Sequence, residues 1–220
     1  MKKTTIGRYD VSLISGNPNR ICYVLIPVTG LESLFTEASS KYDLSIPIVS
    51  NMDWDNDLTP WPASGEPPGC PDFKGNAKEF MNTLLASIIP CTEKELNISP
   101  DAERTLLGVS LSGLFTLWQW MLYDEFKNII SLSGSFWYKG FAQWIKSNPV
   151  PPKKGKAYFL LGDKEAFTNV KAFQSVQRDT AAIVEYLKEG GIDIGFEMVP
   201  GNHYQHLQQR LNRSLDWMFG

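Results

Sequence analysis

The chain has 220 residues, 43% of them hydrophobic and 12% aromatic, with three cysteines and a formal net charge of -3. That length carries one sizeable core, and no linker-like run divides it, so one domain over residues 1–220 is expected. The acidic balance offers no basic field for a phosphate backbone and excludes nucleic acid as a partner, while an odd number of irregularly spaced cysteines excludes a disulfide framework or a CxxC metal site and points to a reducing, cytoplasmic setting.

In chain order, the start MKKTTIGRYDVSLISG has the two lysines of a signal peptide without the apolar run that should follow. Residues 10–26 read as two strand-like runs around Gly16-Asn17-Pro18-Asn19, a hairpin at the N-terminal edge. Continuous apolar runs at 21–28, 46–50, 105–109, 128–133 and 157–161 have the pattern of strands buried on both faces. Residues 51–73 are proline-rich and aperiodic, and a loop of that length inside a compact domain is usually functional or disordered. From Ala77 the apolar positions 77, 80, 81, 84, 85 and 88 follow a helical period that Pro90 should end. The uncharged stretch 105–123 approaches the length of a membrane span, but four Ser or Thr residues, two glycines and a glutamine argue against one, so no membrane partner is expected.

A second helical period runs through 173, 176, 180, 183, 184 and 187, with Gly190 and Gly191 as its stop. Residues 192–199 alternate like an edge strand. A final helix carries the apolar stripe Leu207, Leu211, Leu215 and Met218, with His206, Arg210 and Arg213 expected on its solvated side. Strands alternating with helices imply βαβ units, hence an α/β fold with a mostly parallel central sheet, helices on both faces and no inserted block resembling a lid domain.

The segment LLGVSLSGLFTLW (106–118) places two serines between an expected strand and an expected helix. A nucleophile elbow requires that context: the sharp turn lifts one side chain above the sheet, and its neighbours must be small because strand and helix backbones approach closely. Counting from Gly108, Ser110 is the lifted residue, and Ser112 takes the second small position, usually glycine. Capping of the helix by Ser110 is the competing use of a serine at that place. The rest of a triad weighs against capping alone. In the α/β-hydrolase order the acid and then the histidine follow the serine, each after a later strand. AYFLLGDKE offers Asp163 and Glu165, and FEMVPGNH offers His203, in the expected turn after the last strand. The other histidine, His206, is assigned to the helix surface.

The segments GVSLSGLF, SLSGSFWY, GDKE and PGNHY…RLNRSLDWM resemble the esterase branch of the α/β-hydrolases that includes the esterase D-like and enterobactin esterase-like proteins. The resemblance spans about residues 20 to 220 and implies Ser110 as nucleophile, His203 as base and, through its G-x-x-E pattern at Gly162 to Glu165, Glu165 as the acid, with Asp163 in reserve. Relatives often carry His-Gly or Asp-Gly after the first core strand, where this chain has Pro27-Val28-Thr29-Gly30. The implied chemistry is acyl transfer from a small-molecule ester to water, with the backbone N–H of Leu111 and one from the loop around Thr29 as oxyanion donors. No metal cluster, P-loop or dinucleotide fingerprint occurs, so no cofactor is expected. Trp54 and Trp61 in the long loop, and Trp137 and Tyr138 after the second SLSG, are candidate substrate contacts. A serine peptidase, an acyltransferase or a non-catalytic binding protein on the same fold are the alternatives.

Overall fold

The computed structural model describes residues 1–26, 31–152 and 155–220. Strands β1 (Lys2–Ile6) and β2 (Tyr9–Ile14) form an antiparallel hairpin, and Gly7 takes a left-handed φ of 62° in the turn between them. β2 then pairs antiparallel with β4 (Ile46–Ser50), and β4 pairs parallel with β3 (Arg20–Leu25). The hairpin expected over residues 10–26 therefore does not form, because β4 lies between its two strands. The connection through Gly16 packs on the entry to β4, where a Cβ at Gly16 would stand 2.1 Å from the Leu44 carbonyl oxygen. There the Cys22 N–H donates to the Ser45 carbonyl, and the Ser45 N–H to that of Arg20. The chain still turns at Asn17–Arg20, where the Arg20 N–H donates to the Asn17 carbonyl, but the bonds to Ser45 take the place of pairing between β2 and β3.

The eight strands lie in the order β1-β2-β4-β3-β5-β6-β7-β8, with β5 (Glu103–Val109), β6 (Asn128–Leu132), β7 (Lys156–Gly162) and β8 (Asp193–Val199) parallel to β3. Residues alternate between the two faces of these strands. Tyr23, Leu106, Ile129 and Phe159 point to one side, and Val24, Leu107, Ile130 and Leu160 to the other. Helices α1 (Glu32–Tyr42) and α8 (Leu207–Phe219) cover the second side through Phe35, Tyr42, Leu211 and Leu215. The first side packs against α3 (Ala77–Thr83), α5 (Leu111–Leu122), α6 (Phe141–Ser147) and α7 (Val176–Glu189) through Phe80, Leu114, Trp120, Phe141 and Ile183. Each such fully buried Leu, Ile or Phe contributes about 1.5–3 kcal/mol of transfer free energy.

Two further local expectations change. Pro90 does not end the helix that begins at Ala77. α3 widens into a π turn over Leu84–Ile88, where the Ile89 N–H reaches back to the Leu84 carbonyl, and then continues as α4 (Ile89–Leu96) with Pro90 in its first turn. A wide turn makes room for the proline ring, and in the first turn of α4 the missing N–H is tolerated. The loop 51–73 is folded down rather than free: it holds the short helix α2 (Trp54–Asp57) and a bridge from Ala63 to Phe73. The buried Asp57 carboxylate accepts the Tyr9 hydroxyl and the Asp53 N–H and pairs with Arg8. The stretch 105–123 divides into β5 and α5, and no helix among the described residues is long and apolar enough to cross a membrane.

The close approach at the end of β5 is measurable. A Cβ on Gly108 would meet the Ser112 carbonyl oxygen at 2.2 Å and Thr116 Oγ1 at 2.5 Å. Gly108→Ala should therefore cost about 3 kcal/mol or more through overpacking, which for a chain of this size lowers the melting temperature by roughly 6–12 °C. A thermal melt indistinguishable from that of the parent would show that strand and helix are not this close.

Candidate active site

Ser110 sits between β5 and α5 with φ 59° and ψ -121°, a conformation that a non-glycine residue adopts only when its surroundings impose it. The constraint is visible on both sides. The Ser110 N–H donates to the Leu132 carbonyl, and the Ser110 carbonyl accepts from Leu114 and Ser135. Ser112 is fully buried, and its Oγ lies 2.7 Å from the Val109 N–H and 2.8 Å from the Leu25 carbonyl oxygen. It clamps the turn to β3, so the second serine of the motif has a structural task. Ser110 makes no side-chain capping bond to α5. Its Oγ faces the carboxyl edge of the sheet, where ligands of open α/β sheets bind.

His203 stands in the loop between β8 and α8, and its Nε2 lies 3.0 Å from Ser110 Oγ. Its Nδ1 lies 2.8 Å from Glu165 Oε2. A carboxylate can only accept, so Nδ1 carries the ring proton and Nε2 is left as the acceptor for the Ser110 hydroxyl. The Glu165 side chain is 2% exposed. Its other oxygen, Oε1, accepts from the Ser133 hydroxyl at 2.7 Å, the Gly162 N–H at 2.7 Å and Arg210 Nη1 at 2.8 Å. Burial pushes this carboxyl upward, but the hydrogen bond and charge of His203, with the Gly162 and Ser133 donors, outweigh it and hold Glu165 below the usual glutamate range.

Asp163, the other candidate acid, points elsewhere. Its Oδ1 accepts from the Gly201 N–H at 2.9 Å, and its own N–H donates to the Val199 carbonyl. It ties the loop after β7 to the loop that carries His203. His206 lies just ahead of α8 at φ 61°, outside the helix rather than within it. Arg210 departs most from expectation: it is 2% exposed and buried against Glu165, not solvated. One residue before Leu211 on a helix is about 100° away, not opposite, so Arg210 borders the apolar stripe, while Arg213 remains exposed beside Glu197. Ser133, which donates to Glu165, was not among the expected site residues. The repeated SLSG was its signal: Ser133, like Ser110, follows a strand and has a positive φ, 50°.

These groups open into a cleft of about 500 Å³. Trp54, Phe73, Trp137 and Phe173 line it, with Trp137 and Phe173 rings 4.4 Å apart, and the exposed Phe167 and Tyr204 stand at its mouth. Leu111, first residue of α5, lies in the same wall. Trp61 and Tyr138 do not line the cleft. The Tyr138 hydroxyl donates to the Trp61 carbonyl, and the Trp61 indole donates to the Lys139 carbonyl and packs on Phe141 and Trp144, so this pair pins the long loop to α6. Thr29 and its neighbours Val28 and Gly30 lie outside the described residues. Among the described residues no group of three or more His, Cys, Asp or Glu side chains is disposed to hold a metal.

The chain belongs to the family described as "Putative esterase", whose model matches residues 27–218, and this places it in the class of carboxylic ester hydrolases. The chain is 24% identical over 172 residues, 75% of its length and 69% of the relative's, to the uncharacterized protein YbbA of Bacillus subtilis (strain 168). Among solved structures, an IroE-like serine hydrolase from Shewanella oneidensis superposes with a TM-score of 0.76 at 14% identity over 96% of this chain and 75% of that one. The enterobactin and salmochelin hydrolase IroE superposes with a TM-score of 0.70 at 20% identity, covering 96% and 89%.

Proposed function

We propose that the protein hydrolyses carboxylic esters through an acyl-enzyme on Ser110, with His203 as general base and Glu165 as the acid that orients it. The observation that carries this reading is the unbroken relay in one cleft, from Ser110 Oγ to His203 Nε2 at 3.0 Å and from His203 Nδ1 to Glu165 Oε2 at 2.8 Å. A neutral serine hydroxyl is a poor nucleophile, so His203 accepts its proton as Oγ attacks the ester carbonyl. The resulting imidazolium then protonates the leaving alkoxide, and a water molecule repeats the sequence on the acyl-enzyme. The Leu111 N–H, at the positive end of α5, is assigned to the developing oxyanion. The second donor is assigned to the loop around Thr29.

The aromatic wall of the cleft suits an ester with an aryl or extended apolar group better than a simple acetate. Because the neighbour IroE is named for hydrolysis of enterobactin and salmochelin, siderophore lactones belong in the substrate panel beside aryl and nitrophenyl esters.

The two histidines test the reading. His203→Ala should lower kcat by about 10⁴-fold or more on any ester that is turned over, because the general base is gone. His206→Ala should leave kcat within a few-fold. Equal losses in both would contradict the assignment.

A further inference from the structure

The guanidinium of Arg210 joins the two loops that the relay spans. Nη1 lies 2.8 Å from Glu165 Oε1 and 2.6 Å from Ser133 Oγ, while Nη2 donates at 2.7 Å to the carbonyl of Asn202, the residue before His203. Both members of the Arg210–Glu165 pair have side chains 2% exposed. Resting on the reading of Glu165 as the acid, we propose that Arg210 is a positioning residue for hydrolysis: it fixes the Glu165 carboxylate on one side and the His203 loop on the other, and so sets where and at what pH the imidazole works.

The division of labour on the carboxylate supports this. Oε1 takes three donors, Ser133, Gly162 and Arg210, and this pins the group so that Oε2 points at His203 Nδ1. A purely structural ion pair would not require contact with the residue preceding the histidine. The second effect is electrostatic. A buried carboxylate favours the imidazolium, and an adjacent cation offsets that attraction without touching the ring. Without the cation, the Glu165–His203 pair gains affinity for one proton, whichever member holds it. The acid limb of kcat/KM must then move to higher pH. The other ionisable groups on the elements packed here are Asp163 and Lys164 before Glu165, Tyr204 and His206 beside His203, Arg213 one turn along α8, and Asp55 and Glu66 across the cleft. All of them remain in the Arg210 and Glu165 variants below.

The test is a pH profile of kcat and kcat/KM on a nitrophenyl ester with thermal melts, for Arg210→Met, Arg210→Lys, Glu165→Gln and the double variant Arg210→Met/Glu165→Gln, with Arg213→Met and Ser110→Ala as controls. Arg210→Met should lower kcat about 100-fold with KM within a few-fold, and move the acid limb up by about one pH unit. Its melting temperature should fall by roughly 10 °C, because a buried carboxylate loses its cation. In the double variant that loss should largely disappear, and kcat should match Glu165→Gln alone within a few-fold, since the two residues act through one group. Arg210→Lys keeps the charge but not the two-armed contact, so its acid limb should stay in place while kcat falls about tenfold. Arg213→Met should match the parent. An unmoved acid limb in Arg210→Met, or losses in kcat that multiply in the double variant, would overturn the proposal. If Arg210→Met does not fold, wild-type kcat in Arg210→Lys overturns it instead. Wild-type turnover in Ser110→Ala would remove Ser110 as the nucleophile, and wild-type turnover in Glu165→Gln would remove Glu165 as the acid, results different from the failure of Arg210 alone.

Discussion

Ser110→Ala is expected to lower kcat by about 10⁶-fold, the scale seen when a serine triad loses its nucleophile, while KM and the melting temperature change little. The stability expectation follows from the local structure. Among the described residues Ser110 Oγ hydrogen-bonds only with His203 Nε2 and Ser135 Oγ, and makes no bond that holds the turn. Ser112, by contrast, bonds to Val109 and Leu25, so Ser112→Ala should lower stability and leave most of the turnover of the folded fraction. Side-by-side kinetics and melts on the two variants separate them. A dead but stable Ser112→Ala with an active Ser110→Ala would exchange their roles.

Glu165→Gln should cost about 10⁴-fold in kcat, as removal of the orienting acid does in serine triads, since an amide that offers its N–H to His203 favours the wrong tautomer. Asp163→Asn should leave kcat within a few-fold, because its contact is with the Gly201 N–H and asparagine keeps an acceptor there. The two variants also differ in how stability depends on pH. With its native-state pKa depressed, Glu165 contributes stability that is complete above the usual glutamate range and is lost as the pH falls through the lower native value. Glu165→Gln removes that acid-side dependence, so its melting temperature should fall less than the parent's between neutral and strongly acidic pH. A catalytic collapse in Asp163→Asn beside an active Glu165→Gln would reassign the acid.

The parallel sheet and the elbow were legible in the sequence because both rest on local chemistry. β3, β5, β6 and β7 announce themselves as short apolar runs, and Gly108 is a glycine for the steric reason that a Cβ there would strike the Ser112 carbonyl. Chain order then suffices to pair a serine after one strand with a histidine after the last. What did not read through depends on partners far apart in sequence. β2 seeks β4 rather than β3, a choice made by Ser45 and Gly16 across the sheet. Arg210 looks like a solvated helix charge until Glu165, 45 residues away, is folded against it. Trp61 and Trp54 share a loop, and only the packing against α6 distinguishes the residue that pins the loop from the one that lines the cleft.

Covalent capture is the sharpest test of Ser110 as the nucleophile. The parent protein, Ser110→Ala, Ser112→Ala and Ser133→Ala should each be treated with a fluorophosphonate, then weighed intact and mapped by peptide mass spectrometry. One adduct per chain is expected on Ser110, lost in Ser110→Ala and retained in Ser112→Ala. Label on Ser112 or Ser133, or undiminished labelling of Ser110→Ala, would contradict it.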